Sequence, residues 1–258
     1  MRPSGFGGRP EVSRSSGAGV FVTGTGTGVG KTAVAGAIAA ALGRDGVRVA
    51  TFKPAVTGLE QAAAPGWLPD HELLAAAAGG SAPEQVAPWR FGPAVSPHLA
   101  AALSEVAIDP DALVAGAWRA CEASGARALV VEGVGGLMVP LDERFLVRDL
   151  AARLGLPVVI AANPGLGTIN HTLLTLESAR GAGLDVAAVV LTPWPSRPGV
   201  IECSNRETIA ALGQTDVYEL PWVAAGTPGL LAAAAQTARL PVAQWCGLGD
   251  EPAVRAAA

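Results

Sequence analysis

The sequence predicts an α/β fold: a mostly parallel sheet with helices on both faces, in a single domain. Apolar β-branched runs recur along the chain, helical stretches alternate with them, and the first run feeds a glycine-rich loop that ends at a helix start. Continuous β-branched runs suit strands buried on both faces. Strand followed by helix, repeated, suits parallel pairing through right-handed crossovers. In such a sheet, ligands collect beyond the carboxyl ends of the strands.

The first strand is Val20-Phe21-Val22, which runs into Thr23-Gly24-Thr25-Gly26-Thr27-Gly28-Val29-Gly30-Lys31-Thr32. A helix of small residues follows over 33–42. Further strands are expected at 47–53, 128–132, 157–162 and 186–192, with a short one at 216–220. Helices are expected at 111–123, 147–154, 168–181, 201–212 and 228–238, and an apolar helical stretch at 72–78. The loops at 53–58, 133–136 and 163–167 then share one sheet edge with the glycine loop. Residues 59–67 read as a less ordered excursion, and 83–97 carry four prolines. The folded domain is expected over 20–245. The Gly-, Ser-, Pro- and Arg-rich residues 1–19 read as a disordered tail, and 246–258 as a loose one.

The chain has 258 residues, 50% of them hydrophobic but only 5% aromatic, so its core is built from small side chains. A mean hydropathy of +0.38 fits a well-buried parallel sheet. Eighteen basic residues stand against 22 acidic ones with no basic cluster, which argues against a nucleic-acid partner. No apolar run reaches the length of a membrane span, and the N-terminus lacks the apolar core of a secretory signal. Cys121, Cys203 and Cys246 are scattered and odd in number, which suits a cytoplasmic location and offers no zinc spacing.

The glycine loop carries the chemistry. Glycines let successive backbone N–H groups face one anion, and the helix start adds its unpaired N–H groups and positive dipole end. Lys31 then reaches the β- and γ-phosphates, and the Thr32 hydroxyl ligates Mg²⁺. The usual spacing places a glycine at position 25; here it sits one place earlier, at Gly24. The fold class is thereby P-loop NTPase-type. Glu132 ends a buried strand, where an acid is costly unless it holds a metal or caps a turn. Lys53 also ends a strand, either to stabilise charge on a transferring phosphoryl group or to snorkel outward. Asp70 precedes an apolar helix, so it is a helix cap or a ligand. The helix start at Asn170-His171 suits a carboxylate or an ordinary cap. His98, after Ser96-Pro97, shows no partner in the sequence.

Taken together these motifs resemble the dethiobiotin synthetase family. The resemblance covers residues 20–223. It rests on the glycine loop; on Lys53-Pro54, Thr57 and Gly58; on Ser96-Pro97-His98; on Val131-Glu132-Gly133-Val134-Gly135-Gly136; and on Leu166-Gly167-Thr168-Ile169-Asn170-His171. It implies a cyclo-ligase that joins 7,8-diaminononanoate and CO₂ at the expense of a nucleoside triphosphate and Mg²⁺. A carbamate and a carbamic–phosphoric anhydride are the intermediates. It implies Lys53, Lys31 and Thr27 as catalytic residues and Thr32, Asp70 and Glu132 as metal ligands, with Glu72 as the alternative to Asp70. The nucleotide falls to Gly28, Val29, Gly30, Gly133, Val134, Gly135, Pro221, Trp222 and Val223. Substrate falls to Thr27 and Thr57, and its carboxylate to Gly167, Thr168, Ile169 and Asn170 of the other chain of a homodimer.

Two departures from the family pattern stand out. Many members carry Asn-Asp after the strand at 186–191, where it reads the adenine edge; here the pair is Thr192-Pro193. Proline has no donor, and threonine cannot make the paired contacts of an amide. ATP is the expected nucleotide, with CTP or another triphosphate open. Gly28 stands where some members carry an acid. The rival reading is a ParA/MinD-like switch ATPase. That class needs a signature lysine five residues before the loop lysine, and Gly26 occupies the position.

Overall fold

The computed structural model describes residues 17–249. Its strands are β1 (Gly19–Gly24), β2 (Val49–Phe52), β3 (Ala55–Val56), β4 (Trp89–Arg90), β5 (Ala128–Glu132), β6 (Pro140–Asp142), β7 (Phe145–Leu146), β8 (Val158–Ala162), β9 (Val186–Trp194) and β10 (Val217–Pro221). Its helices are α1 (Lys31–Arg44), α2 (Asp70–Ala77), α3 (Pro83–Val86), α4 (Pro97–Leu103), α5 (Pro110–Ser124), α6 (Val147–Leu154), α7 (Thr168–Gly181), α8 (Val200–Gly213), α9 (Pro228–Thr237) and α10 (Val242–Trp245). Six strands form one sheet in the order β10-β9-β8-β1-β5-β2, and every pairing in it is parallel.

The two-residue alternation of the strands sorts their side chains into two layers. Val20 and Val22 of β1 pack with α1, α2, α9 and α10, whereas Phe21 packs with α5, α6, α7 and α8. Helices thus cover both faces, as expected. α1 is buried along almost its whole length, from Ala33 to Leu42. The many Ala and Gly residues of this stretch let its neighbours come close on several sides, with Ile38 and Leu42 as its large buried side chains. A Cβ at Gly36 would lie 2.7 Å from Leu73 Cδ2 and 2.9 Å from Leu231 Cδ1.

Each expected strand forms: β5 spans the expected residues, and the others shift by one or two residues at an end. β2 stops at Phe52 because the Lys53 N–H leaves the ladder and donates to Val86 O at 2.8 Å. That turn aims Lys53 beyond the sheet edge. β9 runs two residues further than expected, through Pro193 to Trp194. Both expected tail boundaries need correction. Gly19 belongs to β1, and its N–H donates to Cys246 O at 2.9 Å. Cys246 is buried and Leu248 packs on the core, so the packed body reaches past 245. The remainder of the two expected tails, 1–16 and 250–258, lies outside the described residues. The short elements β3, β4, β6, β7, α3, α4 and α10 were not expected from the sequence.

Candidate active site

β1 ends at Gly24 and α1 begins at Lys31, so the glycine loop is the link between a central strand and a buried helix. No side chain caps α1, which leaves its first N–H groups for an anion. Gly24 is required by close approach: a Cβ there would lie 2.6 Å from Val29 Cγ2 and 2.9 Å from Lys31 Cγ. This accounts for the displaced glycine in the motif. Gly30 takes φ 91°, and a Cβ on it would meet Thr192 Cγ2 at 2.6 Å. The Lys31 ammonium donates to Gly26 O at 2.7 Å, folding the lysine back over its own loop.

Four charged side chains meet beside that loop. Lys53 Nζ donates to Asp70 Oδ2 at 2.6 Å and to Glu132 Oε1 at 2.5 Å. Thr32 Oγ1 donates to the same Glu132 oxygen at 2.9 Å. Glu132 is fully buried, and its second oxygen, Oε2, has no hydrogen-bond partner. Burial alone would lower the Lys53 pKa, but the Glu132 and Asp70 carboxylates outweigh it and hold the ammonium charged. Burial would raise Asp70, but Lys53 beside it holds its carboxyl below the ordinary range. Burial pushes the Glu132 carboxyl up against the pull of Lys53. Burial also lowers Lys31 to about 8, with Glu132 opposing and Lys53 assisting.

A cleft of about 870 Å³ opens over this cluster. Its walls include the expected residues Thr27, Gly28, Gly30, Lys31, Thr32, Lys53, Thr57, Asp70, Glu132, Val134, Gly135, Pro221, Trp222 and Val223. Val29 and Gly133 are not in the walls. The Val29 side chain packs on the core, and Gly133 is seated against Val147 and Phe21, where a Cβ would lie 3.0 Å from Val147 Cγ1. Glu72 is likewise absent from the cleft, so Asp70 is the carboxylate that α2 delivers. Asp70 makes no cap hydrogen bond; Pro69 is the N-cap of α2. His98 is exposed on α4 and is not in the cleft walls, although Ser96 and Pro97 before it are.

Gly167, Thr168, Ile169 and Asn170 do not reach this chain's cleft. They form the start of α7, with Gly167 as an uncapped N-cap. Thr168 is buried, while Leu166 beside them is 96% exposed. Several wall residues were not anticipated from sequence, among them Gln61, Trp67, Leu68 and Val139. The excursion over 59–67 has no periodic signal to assign it to a site.

A family model described as an AAA domain matches residues 18–227. The ATP-dependent dethiobiotin synthetase BioD of Anaeromyxobacter sp. (strain Fw109-5) is 41% identical over 212 residues, which are 78% of this chain and 92% of that protein. The protein of the same name from Anaeromyxobacter dehalogenans (strain 2CP-1 / ATCC BAA-258) is 47% identical over 208 residues, 79% of this chain and 90% of its own length. The chain belongs to the dethiobiotin synthetase family. Among solved structures, the signal recognition particle 54 kDa protein from Aeropyrum pernix K1 is 19% identical, with a TM-score of 0.49 over 94% of this chain and 49% of that one.

Near its end β9 carries Thr192-Pro193, and both residues line the cleft. Thr192 is buried, with its methyl against Gly30, so it buttresses the phosphate loop. Pro193, Pro221, Trp222 and Val223 complete that end of the cleft. The Trp222 N–H donates to Trp194 O at 3.1 Å, which fixes the backbone of the β10 exit loop and leaves its indole exposed.

Proposed function

We propose that this chain is an ATP-dependent dethiobiotin synthetase, closing the ureido ring on 7,8-diaminononanoate with CO₂. The observation that carries the reading is the meeting of Lys31, Lys53, Thr32, Asp70 and Glu132 at one phosphate loop. Among the described residues, no cysteine or histidine lines the cleft. Phosphoryl transfer needs positioning and charge stabilisation rather than a side-chain nucleophile, and this cluster supplies both.

In the proposed sequence, one substrate amine bonds to the carbon of CO₂ and loses a proton, giving a carbamate. A carbamate oxygen then bonds to the γ-phosphorus as the bond to the bridging oxygen breaks and ADP leaves. The second amine bonds to the carbamoyl carbon, the carbon–oxygen bond to phosphate breaks, and the ring closes as that amine loses its proton. Lys31 neutralises the phosphate oxygens over the loop. Lys53, charged and within reach of the same cleft, stabilises negative charge on the transferring group. Thr27 and Thr57 hold the amine and carbamate end.

Mg²⁺ fits the donor set. The oxygens are hard and Glu132 Oε2 is buried without a partner; with it, Thr32 and Asp70 would make up the small protein share of the coordination. Magnesium sites beside nucleotides use one or two carboxylates and leave the other positions to water and phosphate. Bound there, the ion would neutralise charge across the β- and γ-phosphates.

The reading includes a homodimer acting in the cytoplasm. The start of α7 lies outside this chain's own cleft, so its carboxylate site would serve the partner's substrate. Support comes from the apolar surface around it. Leu166, Leu174 and Met138 are exposed, and the Ser178 hydroxyl reaches Met138 Sδ at 3.4 Å one turn beyond Leu174.

The test is a phosphate-release assay with Mg²⁺, bicarbonate and diaminononanoate, run with ATP and CTP in parallel and with product mass checked. Ring-closed product that depends on every component supports the reading. Phosphate release indifferent to diaminononanoate overturns it in favour of a switch ATPase.

A further inference from the structure

Asp70 sits at the first residue of α2, and the backbone after β10 grips α2 at that end. Gly226 N donates to Gly66 O at 3.1 Å. A Cβ at Gly226 would lie 2.4 Å from Leu73 Cδ1 and 2.7 Å from Trp67 Cε3. Gly226 therefore presses on the residues three before and three after Asp70. The contact is mutual: Gly66 takes φ 80°, and a Cβ on it would lie 3.2 Å from Ala224 O. On its other side Leu73 meets Gly36 of α1, again at a distance only glycine permits. The start of α2 is thus wedged between the phosphate-loop helix and the loop whose first residues, Trp222 and Val223, line the cleft. Asp70 in turn meets Lys53 at 2.6 Å.

We propose that Trp67 and Gly226 form a seat that positions Asp70 against Lys53 and ties that position to the β10 exit loop at the nucleotide's far end. Trp67 and Gly226 are positioning residues: they act through Asp70, and the assignment of Asp70 to metal and phosphate rests on the function proposed above. Interfaces packed at glycine contacts have no slack, so a shift of the exit loop is passed to α2 rather than absorbed.

The test is a double-mutant cycle of Trp67→Ala with Asp70→Asn, read in two ways. The first is the melting temperature of the nucleotide-free, metal-free protein. The second is the Mg²⁺ dependence of ATP affinity, measured by calorimetry. Trp67→Ala is expected to raise the Mg²⁺ needed for half-maximal ATP affinity about fivefold or more, the scale of a 1 kcal/mol coupling. It is expected to have no further effect once Asp70 is Asn. Trp67→Phe restores the wild-type requirement to within about twofold, given that ring packing is what the seat needs. Gly226→Ala, which attacks the seat from the other side, reproduces the Trp67→Ala shift. Additive effects of Trp67 and Asp70 in both readouts overturn the proposal, as does a Trp67→Ala protein that folds and keeps the wild-type Mg²⁺ dependence. Neither readout requires ring closure. A coupled cycle in a protein that makes no dethiobiotin would sink the proposed function and leave the seat standing.

Discussion

At the scale of single residues the site is an arrangement of charges that constrain one another. Lys53 is shared by two carboxylates, one of them wholly buried. Lys53→Ala is expected to leave ATP binding largely intact and to cut turnover by about 10² or more, the scale of one lost transition-state donor. It should also destabilise the fold by about 3–5 kcal/mol, because it strands a buried acid. Calorimetric binding, turnover and thermal melts separate the three effects. Lys31 behaves oppositely. Its pKa falls from 10.5 unfolded to about 8 folded, so below pH 8 the folded protein bears the full penalty of a buried ammonium. As pH rises from 8 the folded state sheds this proton before the unfolded state does, so stability rises. Above pH 9 the buried Cys246 thiol, pushed up to about 12, opposes the gain. Melts between pH 8 and 9 should therefore show a gain of about 1 kcal/mol that Lys31→Met abolishes. At pH 7 that variant should melt higher than wild type while failing to bind ATP. Lys31, Lys53 and Glu132 were legible because each sits at a strand end or in a phosphate-loop pattern. The link between Lys53 and Asp70 was not, because they stand 17 positions apart along an aperiodic stretch of chain.

At the scale of elements, the loop between β1 and α1 is held by what its glycines touch. Gly30→Ala combines a left-handed backbone with a methyl driven into Thr192. It should cost about 1–3 kcal/mol in backbone strain and abolish ATP binding. Gly26→Ala meets no atom within 4 Å and should leave stability unchanged. Thermal melts and ATP titrations of the pair test this. Thr192→Ser in the Gly30→Ala background removes the methyl that is struck and should recover part of the stability. The sheet strands and the long helices could be read from sequence because each carries a continuous apolar run or a 3.6-residue period. The two-residue strands β3, β4 and β7 and the short helices α3 and α10 could not, because fewer than five residues carry no period. Thr192 was read at the base; its packing on Gly30 is a contact between distant loops that no local pattern encodes.

At the scale of the molecule, the cleft holds the nucleotide and amine ends of the proposed reaction but not the start of α7. Thr168→Val and Asn170→Ala are expected to raise the KM for diaminononanoate without changing ATP affinity, and the opposite pattern would remove the carboxylate assignment. Leu166→Asp is expected to convert a dimer to monomers in light scattering and to reduce turnover with it. A wild-type protein that is monomeric at working concentration would remove the shared site. The strand order has a further consequence, for synthesis. β1, which carries the phosphate loop, pairs with β5 in the register Gly19 to Leu129 and with β8 in the register Phe21 to Val158. Both neighbours are translated more than a hundred residues after β1. At ribosomal rates of about 5–20 residues per second, the interval is on the order of ten seconds. Through that time the nascent loop has no strands beside it and no Glu132. The cleft walls are complete only once Pro221, Trp222 and Val223, at the end of β10 and just beyond it, have left the ribosome, so ATP retention by stalled nascent chains would time the closing of the sheet.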